Sequence, residues 1–179
     1  MPSLKVPVTE RDHYQGKLTA PIQLVEYGDY QCPYCGSAYL VLKDIQNEFA
    51  DQLCFIFRNF PLSQLHEHAL SAALVAEFAA RHNQFWPVHD MLFENQNYLG
   101  LPLYIQIAKQ FGFNEQELMQ ALENRTDEPR VLEDFNGGVR SGVNGTPTLF
   151  INGVRYNQGV EYDSLKMTLD AVLLQKNKQ

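Results

Sequence analysis

The chain contains three cysteines, Cys32, Cys35 and Cys54, and the first two are spaced Cys-x-x-Cys in the string CPYC. Four chemistries use that spacing. A redox dithiol needs the pair at the start of a helix that follows a strand. The unsatisfied N–H groups there stabilise an anion, so Cys32 becomes a thiolate nucleophile near neutral pH. Pro33 suits the first helical turn, where its missing N–H is not needed. A tetrahedral zinc site needs a second pair. Cys54 is well placed to open one, but the fourth ligand would fall on Phe57. Haem attachment needs a His directly after the second cysteine, and that residue is Gly36. The fourth reading is a structural disulfide or two inert thiols, which the strand–turn–helix context disfavours. Cys32 and Cys35 are therefore read as a redox dithiol, and Cys54, in LCFIFRNF, as a small buried hydrophobe.

Two distant features join the pair. Glu26 stands in the otherwise apolar run IQLVEY, just upstream of Cys32. Burial raises a carboxyl pKa and makes a proton acceptor near neutral pH. Glu26 is read as helping to deprotonate Cys35, through a water; the alternative is a register that turns it to solvent. The second feature is Gly145-Thr146-Pro147-Thr148, just before a strand. An X-Pro bond there can be cis, although the residues alone are those of an ordinary turn. His66, His68 and His89 fall on expected helices without metal-ligand spacing, and His66 and His68 face different sides. Phe85 and Trp86 are assigned to packing, and Asp127 and Glu128 to the cap and first turn of a helix.

The elements that must hold these residues follow from hydrophobic period and punctuation. Residues 1–20, with Pro2, Pro7 and Gly16, read as an irregular lead-in. Ile22–Tyr27 reads as a buried strand. A helix follows CPYC, with Tyr39, Leu42, Ile45 and Phe49 on one stripe. Leu53–Phe60 is a second strand, stopped by Pro61. Helices are expected at 66–82, 84–96, 101–111, 114–124 (capped by Asn114 with Glu117) and 129–142. Thr148–Asn152 is a strand, Asn152-Gly153 a hairpin turn, Val154–Tyr156 its return, and 163–175 a closing helix. The order is that of an α/β chain with helices inserted in the middle, the first strand–helix–strand unit being parallel and right-handed. One domain over 1–179 is expected, with the helical insertion at 64–128.

Composition narrows the partners. The 179 residues carry 14 Lys plus Arg against 21 Asp plus Glu, a net charge of −7. A surplus of acid argues against a nucleic-acid or anionic-membrane binder. A hydrophobic content of 45% supports a core without disulfide staples. The N-terminus shows no apolar signal region, and no run approaches a transmembrane span. The expected location is cytoplasmic, or extracytoplasmic if a signal has been removed.

Glu26 with Cys32-Pro33-Tyr34-Cys35, a helical insertion, and Gly-Thr-Pro-Thr before TLFINGVRY resembles the DsbA-like branch of the thioredoxin superfamily, over roughly residues 17–175. The resemblance implies a thioredoxin fold: a central mixed sheet flanked by helices, with the insertion within it. It implies that Pro147 is cis beside the dithiol. It also implies that the backbone of Thr146 pairs with an extended substrate segment, by strand addition. Cys32 would be the exposed attacking cysteine, Cys35 the shielded resolving one, and Glu26 the family's buried acid. Pro33 and Tyr34 would border the substrate. The expected activity is thiol–disulfide exchange with protein or peptide thiols and disulfides, or with glutathione or a thioredoxin-type electron donor. It needs no metal or nucleotide cofactor, and a monomer is expected. Tyr34 carries no positive charge, so the pair is expected to be less oxidising than in enzymes with Pro-His between the cysteines. The rival readings are a glutathione-dependent transferase or isomerase of related fold, and a non-catalytic redox-sensing peptide-binding module.

Overall fold

The computed structural model describes residues 3–176; residues 1, 2 and 177–179, which belong to the expected lead-in and domain span, lie outside the described residues. The strands are β1 (His13–Gln15), β2 (Ile22–Gly28), β3 (Leu53–Asn59), β4 (Thr148–Ile151) and β5 (Val154–Tyr156). The helices are α1 (Pro33–Phe49), α2 (Ala69–Arg81), α3 (Phe85–Glu94), α4 (Leu101–Phe111), α5 (Glu115–Glu123), α6 (Glu128–Arg140) and α7 (Tyr162–Lys176). The sheet order is β1-β3-β2-β4-β5. β2 and β3 are parallel and joined through α1, and every other neighbouring pair is antiparallel. This is the mixed sheet flanked by helices that the resemblance implied, with a block of helices between β3 and β4.

Strand alternation decides what lies on each face. On β2, Ile22 and Leu24 enter the large core with Ala38, Leu42 and Ile45 of α1, whereas Val25 and Tyr27 enter a second cluster. On β3, Phe55 and Phe57 join the first cluster, and Cys54 and Ile56 the second. Glu26 has the parity of Ile22 and Leu24, so its carboxylate is sent into the larger core. Cys54 is fully buried, as its apolar surroundings led one to expect. The hairpin turn is also as expected: Asn152 (φ 48°) and Gly153 (φ 81°) take the left-handed conformations of a two-residue hairpin.

Two sequence expectations are corrected. The lead-in is not wholly irregular, because His13–Gln15 pairs antiparallel with Phe55–Phe57. Trp86 Nε1 also donates to the Tyr14 carbonyl at 3.1 Å, which fixes this short edge strand to α3. Second, α2 begins at Ala69 rather than at 66. Residues 62–68 are held instead by side chains of the β2–α1 loop, which take the Leu62 and His68 N–H groups. Asp127 and Glu128 stand where expected, at the N-cap and in the first turn of α6, and the Asp127 carboxylate takes two bonds from Arg81 instead of a helix N–H. Asn114 does cap α5, accepting the Glu117 N–H at 3.1 Å.

Candidate functional site

Strand β2 ends at Gly28, and the chain turns over four residues into α1. Cys32 is the N-cap of that helix, with φ −67° and ψ 121°, and Pro33 follows in the first turn. No side chain caps the helix, so its free N–H groups face the cysteine sulfur. Both Cys32 and Cys35 are free thiols. The Cys32 thiol is lowered from its ordinary 9.0 to about 5. The main cause is the hydrogen bond from Cys35, with help from Thr146 and the Cys35 and Tyr34 backbone, against an opposing effect of burial. Cys35 moves the other way, well above an ordinary thiol. Burial is the largest cause, followed by the bond to Cys32 and the nearby Glu26. Two adjacent thiols are thus driven apart, one towards thiolate and one towards thiol.

The expectation of an exposed Cys32 needs correction in degree. Cys32 is only 3% exposed, against 0% for Cys35. The reason is the 145–147 loop, which closes over it: Cys32 Sγ donates to the Thr146 carbonyl at 3.4 Å. The Thr146–Pro147 bond is cis. Thr146 and Pro147 are half-buried, Pro33 is exposed, and the Tyr34 ring is 75% exposed. The residues named from sequence on either side of the dithiol therefore meet at one place, from segments over a hundred positions apart.

Glu26 is buried, so the solvent-facing alternative fails. Its strand neighbours in register are Phe57 and Leu149, and its Oε1 has no hydrogen-bond partner. Burial first, then the charge of Cys32, raises its carboxyl from 4.5 to about 8. It backs onto a narrow crevice whose walls include Tyr39, Lys43, Gln46 and His89. Among the described residues no group of three metal-ligating side chains is present. Neither is any helix long and apolar enough to cross a membrane.

Two residues at the site were not singled out from sequence. Gln96 lies in a short 3-10 turn after α3, and its Nε2 donates to the Tyr30 and Cys32 carbonyls, each at 2.8 Å. Gly36 makes room for it, since a Cβ there would overlap the Gln96 side chain. Asp29 is fully buried in the β2–α1 loop and is the hub of several hydrogen bonds. No local pattern marks Gln96. Asp29 stands close to CPYC, which is the only hint the sequence offers. The three histidines set aside divide: His66 bonds to Asp29, His68 stands at the N-cap position of α2 without a capping bond from its side chain, and His89 is buried with its Nδ1 bonded to the Tyr30 hydroxyl at 2.9 Å.

The Thioredoxin family model matches residues 8–171. BdbD from Bacillus subtilis, in its oxidised crystal structure, is 27% identical and superposes with a TM-score of 0.80, covering 90% of this chain and 92% of that one. The α-DsbA1 structure from Wolbachia pipientis is 20% identical with a TM-score of 0.81, covering 94% of each chain, a likeness of fold. Among curated proteins, the Na(+)/H(+) antiporter NhaA 1 of Salinispora arenicola is 35% identical over 163 residues, 90% of this chain and 25% of that protein. The chain therefore spans about a quarter of the length of such relatives.

Proposed function

We propose that this chain, which belongs to the thioredoxin family and has a DsbA-like thioredoxin fold, exchanges disulfides with protein or peptide thiols through Cys32 and Cys35. The observation that carries this reading is the split between the two sulfurs. Cys32, at about 5, is a thiolate near neutral pH, and Cys35 beside it stays protonated. Cys32 Sγ attacks a substrate disulfide and forms a mixed disulfide, expelling one substrate sulfur as a thiolate. Cys35 then loses its proton and attacks Cys32 Sγ. The Cys32–substrate bond breaks, and its electron pair leaves with the second substrate sulfur. The substrate is reduced by two electrons and the dithiol oxidised. The reverse sequence oxidises a substrate dithiol.

Glu26 is assigned as the proton acceptor for Cys35. With the carboxyl held at about 8, the minority of Glu26 that is ionised near neutral pH is basic enough to take the Cys35 proton, and the Cys32 charge that helps raise it is absent from the mixed disulfide. The half-buried Thr146 backbone supplies the edge for an extended substrate segment, and the exposed Tyr34 ring gives that segment an apolar contact. The thiolate fraction of Cys32 suits either direction of electron flow.

Insulin reduction with a thiol donor tests the assignment. Cys32→Ser is expected to lose activity to background, and Cys35→Ala to accumulate mixed disulfides on Cys32. Full turnover by Cys32→Ser would refute the proposal. The Cys32–Cys35 reduction potential against glutathione assigns direction: a value near −270 mV marks a reductase, and one near −120 mV an oxidase.

A further inference from the structure

The β2–α1 loop is tied to the 62–68 segment by an arrangement that ordinary loop packing does not require. The Asp29 carboxylate accepts three hydrogen bonds. One comes from the Gln31 N–H at 2.8 Å, one from the Leu62 N–H at 3.0 Å and one from His66 Nδ1 at 2.7 Å. The Asp29 side chain is 0% exposed, and that of His66 20%. A second tie runs beside it, from the His68 N–H to Gln31 Oε1 at 2.5 Å. The main chain of the same Asp29 touches both cysteines. Its N–H donates to Cys35 Sγ at 3.5 Å, and its carbonyl accepts the Cys32 N–H at 3.1 Å.

We propose that Asp29, clamped by His66, is a positioning residue for the second half of the exchange: its fixed backbone N–H holds Cys35 Sγ on line as that sulfur becomes an anion. The inference rests on the exchange reading given above. In the resolving step Cys35 gives its proton to Glu26 and forms the S–S bond to Cys32. The old Cys32–substrate bond breaks, and the departing sulfur carries off the electron pair and is protonated in turn. As the Cys35 proton leaves, Cys35 Sγ becomes an anion at a fully buried position, before the charge passes to the departing sulfur. An N–H already aimed at the sulfur needs no reorganisation to stabilise it. A free loop peptide would have to be ordered first. The carboxylate fixes the peptide because its acceptors are matched on two sides, by Gln31 within the loop and by Leu62 and His66 across it. The Asp29 N–H points at Cys35 Sγ and not at Cys32 Sγ, whose thiolate is stabilised by Cys35, by Thr146 and by the Cys35 and Tyr34 backbone. The clamp therefore acts chiefly on resolution, the step in which Cys35 itself is the anion.

The test loads a thiol-bearing peptide onto Cys32 as a mixed disulfide and follows its release, and separately follows alkylation of free Cys32. Asp29→Asn presents an amide where Leu62 N–H and His66 need an acceptor. Resolution is expected to slow roughly tenfold or more, the effect of losing one charge-assisted hydrogen bond. His66→Ala is expected to slow it by a smaller factor. His66→Asn can still donate to Asp29 and is expected to restore it to within about twofold of the parent. Alkylation of Cys32 should change by less than about twofold throughout. Parent rates of resolution in Asp29→Asn and His66→Ala would overturn the proposal. So would a parallel fall in alkylation, or a His66→Asn protein no better than His66→Ala. If Asp29→Asn does not fold, the two His66 variants decide, since that side chain lies partly in solvent. A parent protein that forms no mixed disulfide would instead refute the exchange reading itself.

Discussion

The sharpest consequence at the scale of single residues concerns Glu26. Its carboxyl is raised from 4.5 to about 8, chiefly by burial. Between those two values the folded chain holds a proton that the unfolded chain has released. The contribution of this group is therefore most favourable below about 4.5 and declines as pH rises to about 8, beyond which it is flat. Glu26→Gln does not titrate. It is expected to be more stable than the parent at pH 9 by on the order of a few kcal/mol, and nearly equal to it at pH 4. Urea unfolding across that range measures the difference, and an offset that does not vary with pH would show that burial is not the cause. The same variant should resolve mixed disulfides more slowly, so stability and activity move in opposite directions. Cys32 has the reverse sign. Its reduced form gains from a thiolate at high pH and loses that gain as pH falls through about 5. Thiolate absorbance is expected to titrate there, and a midpoint near 9 would contradict the arrangement described. Glu26 was legible because a lone acid in IQLVEY stands out against apolar neighbours. Asp29 was not, because one acid among the polar residues of GDYQ carries no such contrast, and its burial is produced by the distant Leu62 and His66.

Among the elements, the start of α1 is the one whose position matters most, and it is held from outside. The Gln96 amide reaches from the helical block to the carbonyls of Tyr30 and Cys32, while Gly36 leaves the space it occupies. Gln96→Ala is expected to cost about 1–3 kcal/mol, because the Tyr30 carbonyl loses the Gln96 donor and the Cys32 carbonyl keeps only the Gly36 N–H. Gly36→Ala is expected to cost a similar ~1–3 kcal/mol, since its methyl would have to displace Gln96. The double variant should cost less than the sum, because a shortened residue 96 removes the overlap. Additive losses in a double-mutant cycle would mean that the two residues do not share this space. The helix itself was readable from its stripe of Tyr39, Leu42, Ile45 and Phe49, all four of which are buried. Its anchor was not, because a Gln just past a helix end fits the solvated surface equally well. The start of α2 was misplaced for a related reason. His66-Glu67-His68 continues a helical run in composition, but its groups are bonded to the β2–α1 loop instead.

On the scale of the whole molecule, the sheet needs a cover on each face, and the two covers are built differently. Helices α1, α3 and α7 cover one face with periodic apolar stripes. The other face receives Leu4, Val8, Tyr14 and Leu18 from the N-terminal segment, beside Phe135 of α6. These four have no common period, so the sequence read the segment as irregular and missed its role. It is fastened by Arg58, on the β3 face opposite Phe57. All five guanidinium donors are engaged: Nε with Asp12 Oδ1 at 2.7 Å, Nη2 with Asp12 Oδ2 and the Pro7 carbonyl at 3.1 Å each, and Nη1 with the Val6 carbonyl and the Tyr27 hydroxyl at 2.9 Å each. A lysine offers three donors from one point and cannot span these acceptors. Arg58→Lys is therefore expected to cost about 2–4 kcal/mol, and Arg58→Met, which strands Asp12, about 3–5 kcal/mol. Adding Asp12→Asn to Arg58→Met should recover part of that loss. The first structural sign should be release of the N-terminal segment, read as trypsin cleavage at Lys5 and Arg11 under conditions where the parent resists. Alkylation of Cys32 should stay within about twofold of the parent, because the dithiol packs into the cluster on the other face of the sheet. If Cys32 reactivity instead falls in step with cleavage, the two faces do not loosen independently, and the N-terminal cover supports the dithiol as well as the sheet.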